Sequence, residues 1–309
     1  MASWERFVRQ PQSTWFRKVA FQVHLWTGLI FGVYFVAICV SGSVLVYRND
    51  LYQMFSPQSV FVAASANRMS ADQLDEAALR AYPGSTVENR WDRGANQAVE
   101  IQLTNGTDSR MRLFNPYTGE DLGDPVPLGF RMTAWLLGFH DHLRFEDTGR
   151  RVNGAGAIFA IVLGISGAIV WWPGSRNWRR SLRIEATANW KRLTWSLHSA
   201  LGFWVIGFLL LWGVTGTYLA LPQVFATAFD YIEPIDEANP VERVGDRIQY
   251  WLAYLHFGRL GGRGIPWCGR GACDTVTKAT WALLGLAAPV MFVTGAVMWW
   301  NRVLRKATL

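Results

Sequence analysis

Four stretches of this chain carry no Asp, Glu, Lys or Arg: Val19 to Tyr47, Val152 to Ser175, Leu193 to Phe229 and Ala279 to Asn301. Each exceeds the ~20 residues that an α-helix needs to cross the hydrocarbon of a bilayer. A buried helix of a soluble core explains one such run but not four. The first is not read as a secretory signal. Its apolar run is longer than an h-region of about 7–15 residues, and no cleavage site follows it. With half of the residues hydrophobic, 17% charged and 17 tryptophans, the expected fold class is an α-helical integral membrane protein of four transmembrane helices.

Basic residues flank the spans unequally. Arg6, Arg9, Arg17 and Lys18 precede the first, Arg176, Arg179, Arg180, Arg183, Lys191 and Arg192 fill the connection after the second, and Arg302, Arg305 and Lys306 follow the fourth. The positive-inside rule makes these segments cytoplasmic. The formal charge of +7 is thereby largely topogenic and calls for no nucleic-acid partner. The expected order is a cytoplasmic segment 1–18, a first span 19–47, an external domain 48–126 and an outer interfacial helix and loop 127–151. A second span 152–175, a cytoplasmic loop 176–192, a third span 193–222, an outer connection 223–278, a fourth span 279–301 and a cytoplasmic tail 302–309 complete it.

The external segment reads as a small α+β domain. Ser70 caps a helix that Pro83-Gly84 stops. Thr86 to Arg90, Ala98 to Leu103 and Arg110 to Phe114 read as strands, and Asn115-Pro-Tyr-Thr-Gly119 as a tight turn. Gly129 to Leu143 and Arg247 to Phe257 read as aromatic-rich helices lying in the outer interface. The first is broken by Asp147-Thr-Gly149, the second by Gly258, Gly261 and Gly262.

Of five histidines, four fall at equivalent places in two copies of one pattern. His24 lies 17 positions before Ser41-Gly42, and His198 lies 17 before Thr215-Gly216. A second histidine follows in each half, His140 in Gly138-Phe-His140 and His256 in Tyr254-Leu-His256. Each half closes on Ser166-Gly167 or Thr294-Gly295 ahead of a Trp-Trp pair. The halves are expected to be parallel two-helix repeats. At ~1.5 Å per residue, His24 and His198 lie about 25 Å from their Ser/Thr-Gly marks, near the cytoplasmic side, with His140 and His256 near the outer face.

Ionisable groups in a membrane are costly unless paired or liganding. Neutral imidazole is a good axial ligand for haem iron. Shared depth pairs His24 with His198 and His140 with His256, giving two b-type haems stacked across the membrane, while the missing Cys-x-x-Cys-His gives no support to c-type attachment. Gly28 and Gly202, one turn beyond the first pair, leave room for a flat porphyrin. Arg144 and Arg259 are the cations for haem propionates, or plain interfacial cations. His142 is the alternative to His140. The bland reading, histidines that only join helices by hydrogen bonds, stands beside these. No cysteine and histidine cluster suggests zinc. The Ser/Thr-Gly marks are read as helix-packing features. Cys39 is a small apolar residue of the first span. Cys268 and Cys273 are candidates for a short-loop disulfide or a redox-active pair.

In their order, His24-Leu-Trp-Thr-Gly28, the segment Ser70 to Gly119, Phe-His140-Asp-His-Leu, Leu-His256-Phe-Gly-Arg-Leu-Gly-Gly262 and the two Gly-x-x-x-Trp-Trp closures make the chain resemble the PepSY-associated transmembrane proteins, including FoxB-type siderophore reductases. The resemblance covers nearly the whole chain. It implies a PepSY-like periplasmic domain on a bacterial inner-membrane, haem-containing oxidoreductase that moves electrons outward to an Fe(III)-siderophore or another external ferric substrate. No dinucleotide fingerprint is present, so the electron donor, a quinol or a cytoplasmic reductase, is expected to be a separate partner. The alternative is a non-enzymatic, PepSY-containing anchor, regulator or accessory subunit of a larger membrane complex.

Overall fold

The computed structural model describes residues 8–56, 60–65, 67–92, 94–175, 177–235, 243–260, 268 and 271–307. Arg6, Arg176, Gly261 and Gly262 lie outside them. The chain divides into two compact units, one of residues 1–47 and 136–309 and the other of residues 48–135.

The first unit contains four helical regions long and apolar enough to cross a membrane: α1 (Trp15–Leu45), α5 (Glu146–Trp171), α6 (Trp190–Ala220) and the paired helices α9 (Gly271–Gly285) and α10 (Ala287–Ala307). Their main packing is a ring, α1 on α5, α5 on α6, α6 on α10 and α10 on α1. This leaves α1 and α6, which carry His24 and His198, at opposite corners.

Small residues set how closely these helices approach. A Cβ added at Gly213 would stand 2.6 Å from Ile161 Cγ1, and one at Gly154 would stand 3.1 Å from Ala220 Cβ, so α5 and α6 meet nearly backbone to backbone. Gly32 makes room for Phe292 between α1 and α10, and Gly156 for Tyr34 between α5 and α1. Lipid tails are as apolar as leucine, so close packing of this kind is what holds such helices together.

Two boundaries differ from the sequence reading. The fourth span is not one helix over 279–301 but two, starting at Gly271 and interrupted at Leu286. Pro289 lacks the N–H that would bond to the Gly285 carbonyl, so the ladder stops there and restarts with proline in its first turn. The break before the second span lies at Leu143 to Phe145, and Asp147, Thr148 and Gly149 are inside α5. Leu143, Arg144 and Glu146 take positive φ angles of 50°, 64° and 48°, which turn the chain sharply and leave Glu146 and Asp147 in the first turn of α5, where the helix dipole favours acids.

Two shorter helical segments of this unit matter for the site. The end of α4 (Leu128–His142), which belongs to this unit from Leu136 on, carries His140, and α8 (Val244–His256) packs on α6. Gly258 (φ 65°) closes α8 with bonds from its own N–H to Leu255 O and from Arg259 N–H to Tyr254 O (3.3 and 2.9 Å), a Schellman ending that fixes where His256 sits. Trp281 of α9 adds a bond from Nε1 to Leu255 O (3.0 Å). The helix α7 (Pro222–Ile232) was not anticipated.

The second unit holds α2 (Arg48–Met54), α3 (Ala71–Ala81) and an antiparallel sheet in the order β1 (Thr86–Trp91), β2 (Val99–Asn105), β3 (Asp108–Phe114) and β4 (Asp121–Gly123). Alternation along β2 buries Val99, Ile101 and Leu103, and these join Phe114, Leu74 and Ala78 in one core. Ser70 and Gln73 form a reciprocal capping box on α3. The strand β4 escaped the sequence reading because three residues carry no usable period. Asp121 holds it in place by accepting from Arg112 (2.7 Å) and from the Tyr82 hydroxyl (2.5 Å).

Burial alone would raise the Asp121 carboxyl, but hydrogen bonds from Arg112, Tyr82 and the Gly123 amide bring it below the ordinary value. A carboxylate depressed in the folded state stabilises above its unfolded pKa of about 4, and loses that contribution as pH falls through the lower folded value. Protease resistance of residues 48–135 in the full-length protein, followed against pH, therefore falls in acid for wild type, whereas Asp121→Asn is weaker at neutral pH and flatter. Coincident profiles contradict this assignment.

Candidate functional site

The four repeat-matched histidines meet in two facing pairs. The His24 and His198 ring centroids are 6.4 Å apart at an interplanar angle of 80°. Those of His140 and His256 are 6.3 Å apart at 55°. Each pair draws one ring from each half of the chain.

In all four rings the hydrogen-bonded nitrogen is Nδ1, and its partner lies on a different helix. His24 Nδ1 is 3.1 Å from Leu163 O and 3.4 Å from Ser166 Oγ of α5. His140 Nδ1 is 3.0 Å from Ser41 Oγ and 3.1 Å from Ile38 O of α1. His198 Nδ1 is 2.8 Å from Thr294 Oγ1 of α10. His256 Nδ1 is 2.8 Å from Thr215 Oγ1 of α6. The hydroxyl partners are those of the Ser/Thr-Gly marks, each serving one histidine, and so the marks do more than pack helices.

The glycine of each mark lies under the same ring. An added Cβ would stand 2.9 Å from His140 Cε1 at Gly42, 3.0 Å from His24 Cε1 at Gly167, 3.3 Å from His198 Cε1 at Gly295 and 3.8 Å from His256 Cε1 at Gly216. Gly28 and Gly202 do not touch the rings; a Cβ there would meet Leu163 Cδ1 at 3.7 Å and Met291 Cε at 3.1 Å. The sequence did contain the signal for the mark residues, since they recur at fixed spacing from the histidines. What it lacked was the neighbouring helix against which each mark would lie.

With Nδ1 held, Nε2 is the nitrogen left for a ligand. Two imidazole nitrogens at about 2 Å from one metal, each about 1.1 Å from its own ring centre, put collinear ring centroids about 6.2 Å apart. The observed 6.4 and 6.3 Å lie close to that figure. Among the described residues no group of three or more His, Cys, Asp or Glu is placed to hold a metal ion; what each pair offers is two imidazole nitrogens. The residues therefore fit haem held between two histidines.

The remaining residues singled out in the sequence lie around these pairs. Arg144 follows His140 with an exposed side chain whose Nη1 would be 2.6 Å from a Cβ at Gly138. Arg259 follows His256 in the Schellman ending of α8. Asn153 of α5 donates to the carbonyls of His140 and Asp141 (2.7 and 2.8 Å) and accepts from Tyr34 of α1 (2.9 Å), which ties the end of α4 to both spans. His142 Nδ1 is buried with no hydrogen-bond partner among the described residues, and it is His140, two residues earlier, that faces His256. Cys268 and Cys273 are joined by a disulfide, with Cα atoms 4.9 Å apart. Cys39 is a free thiol.

Residues 21–240 and 233–302 match the family described as PepSY-associated TM region. No protein of curated function matches the chain.

The ring contacts give a direct expectation. Gly42→Val and Gly167→Val aim a branched side chain at His140 and His24, and each should lower the haem retained by purified protein by about half. Gly207→Val, where an added Cβ meets nothing within 4 Å, should retain the wild-type amount. Equal retention in all three variants contradicts the site.

Proposed function

We propose that this chain, which belongs to the PepSY-associated TM region family, is a haem-dependent conductor of electrons across a membrane. The observation that carries this reading is the pair of facing imidazole couples at 6.4 and 6.3 Å, each ring anchored through Nδ1. Haem b bound in each couple would supply a one-electron Fe(III)/Fe(II) change. The chain's part would be to provide four imidazole nitrogens and an apolar surrounding.

The correspondence between the halves supports reading them as parallel repeats. Basic flanks then put the His24 and His198 pair near the cytoplasmic side of a bacterial inner membrane, with both termini cytoplasmic, and the His140 and His256 pair near the periplasmic side. The donor in this reading is a separate quinol or cytoplasmic reductase, and the acceptor is an external ferric complex such as an Fe(III)-siderophore. The sheet unit is the PepSY-like domain on the acceptor side. Arg144 and Arg259 follow the outer ligands closely and are the cations we assign to haem carboxylates; Gly28 and Gly202 leave space beside the inner pair.

Haem-loaded protein in vesicles, given quinol in the membrane and a ferric siderophore outside, should produce Fe(II) captured by an external chelator. His198→Ala and His140→Ala should each slow this by about tenfold or more, the usual order for disturbed metal sites. Wild type that carries haem yet yields no Fe(II), or variants as fast as wild type, would direct attention to an accessory subunit or anchor role instead.

A further inference from the structure

Resting on that haem reading, we infer that Ser41, Ser166, Thr215 and Thr294 are positioning residues that fix the ligating tautomer of the four histidines and set the potentials of the two haem sites. A hydroxyl has one proton to donate, and each of these donates it within its own helix: Thr215 to Leu211 O (2.7 Å), Thr294 to Val290 O (2.7 Å), Ser41 to Ile38 O (2.9 Å) and Ser166 to Leu163 O (3.1 Å). What each Oγ then presents to the neighbouring helix is a lone pair. The nearby Nδ1 must carry the proton, and Nε2 is left bare as the ligating atom.

The two members of one couple are held differently. His256 Nδ1 has Thr215 Oγ1 as its hydrogen-bond acceptor among the described residues. His140 Nδ1 is shared between Ser41 Oγ and the Ile38 carbonyl. An acceptor on Nδ1–H makes an imidazole a more basic ligand, which favours the ferric state. Removing the acceptor therefore raises the potential. The loss should be felt fully at Thr215, the acceptor for His256 among the described residues, and only in part at Ser41, where the carbonyl remains.

The test is a redox titration of full-length, detergent-solubilised protein supplied with haem, with haem content measured alongside. Thr215→Val should raise the midpoint potential of one of two haems. Ser41→Ala should move the same haem less, and Thr215→Ser, which restores the hydroxyl but not the methyl, should return it to the wild-type value. If Thr215→Val loses haem outright, recovery of haem in Thr215→Ser supports the role just as well. Unmoved potentials in a fully loaded Thr215→Val, or a Thr215→Ser variant displaced as far as Thr215→Val, overturn it while leaving the ligand assignment intact. Wild type that takes up no haem overturns the ligand assignment itself.

Discussion

An imidazole among apolar helices must satisfy two nitrogens, and the rest of the spanning unit is arranged around that demand. Leaving a polar atom unpaired in such surroundings costs on the order of 1–3 kcal/mol. Here one nitrogen of each ring reaches a hydroxyl on an adjacent helix. The bond forms only if the helices approach closely, and they do because glycine lies under each ring at Gly42, Gly167, Gly216 and Gly295. Hydroxyl and glycine are consecutive in sequence, so one short mark supplies both the acceptor and the space. Four such marks tie α1 to α5, α6 to α10, α4 to α1 and α8 to α6.

The same demand explains the features that interrupt the helices. His140 and His256 sit at the ends of α4 and α8, and each end is held by a left-handed turn, at Leu143 and Arg144 in one case and Gly258 in the other. Asn153 and Trp281 pin the two ends further through backbone carbonyls. The break at Leu286 follows from Pro289, and Gly285 just before it lets the end of α9 lie against Ser43 of α1. The facing of two rings depends on where their helix ends are held, and these local contacts act on the elements that carry them.

Much of this was legible in the residues. Uncharged run lengths gave the four spans, and matched spacing gave the four histidines and their pairing across halves. Ser70 ahead of a helix stopped by Pro83-Gly84, and three strand-like runs between turns, gave the α+β unit. Less visible were contacts made between distant segments. Ser166 and Thr294 read as packing residues because their histidines lie on other helices, 142 and 96 positions away. Gly28 and Gly202 are near the histidines in sequence, whereas the glycines that lie against the rings come from the partner helices. The corner at Leu143 to Phe145 was placed a few residues late because Asp and Gly suggest a turn locally, whereas α5 buries Gly149 beneath the His142 carbonyl. The strand β4 is set by Arg112 and Tyr82 on Asp121, a tertiary choice that no three-residue pattern announces.

The central claim is that each facing couple holds one haem through two imidazole nitrogens. Electron paramagnetic resonance of the oxidised, haem-supplied, full-length protein, read together with the haem-to-chain ratio, tests it most directly. The account predicts two haems per chain, both low-spin with bis-histidine signatures. A high-spin signal, or a single haem that persists when His24 and His198 are both replaced and also when His140 and His256 are both replaced, would contradict it.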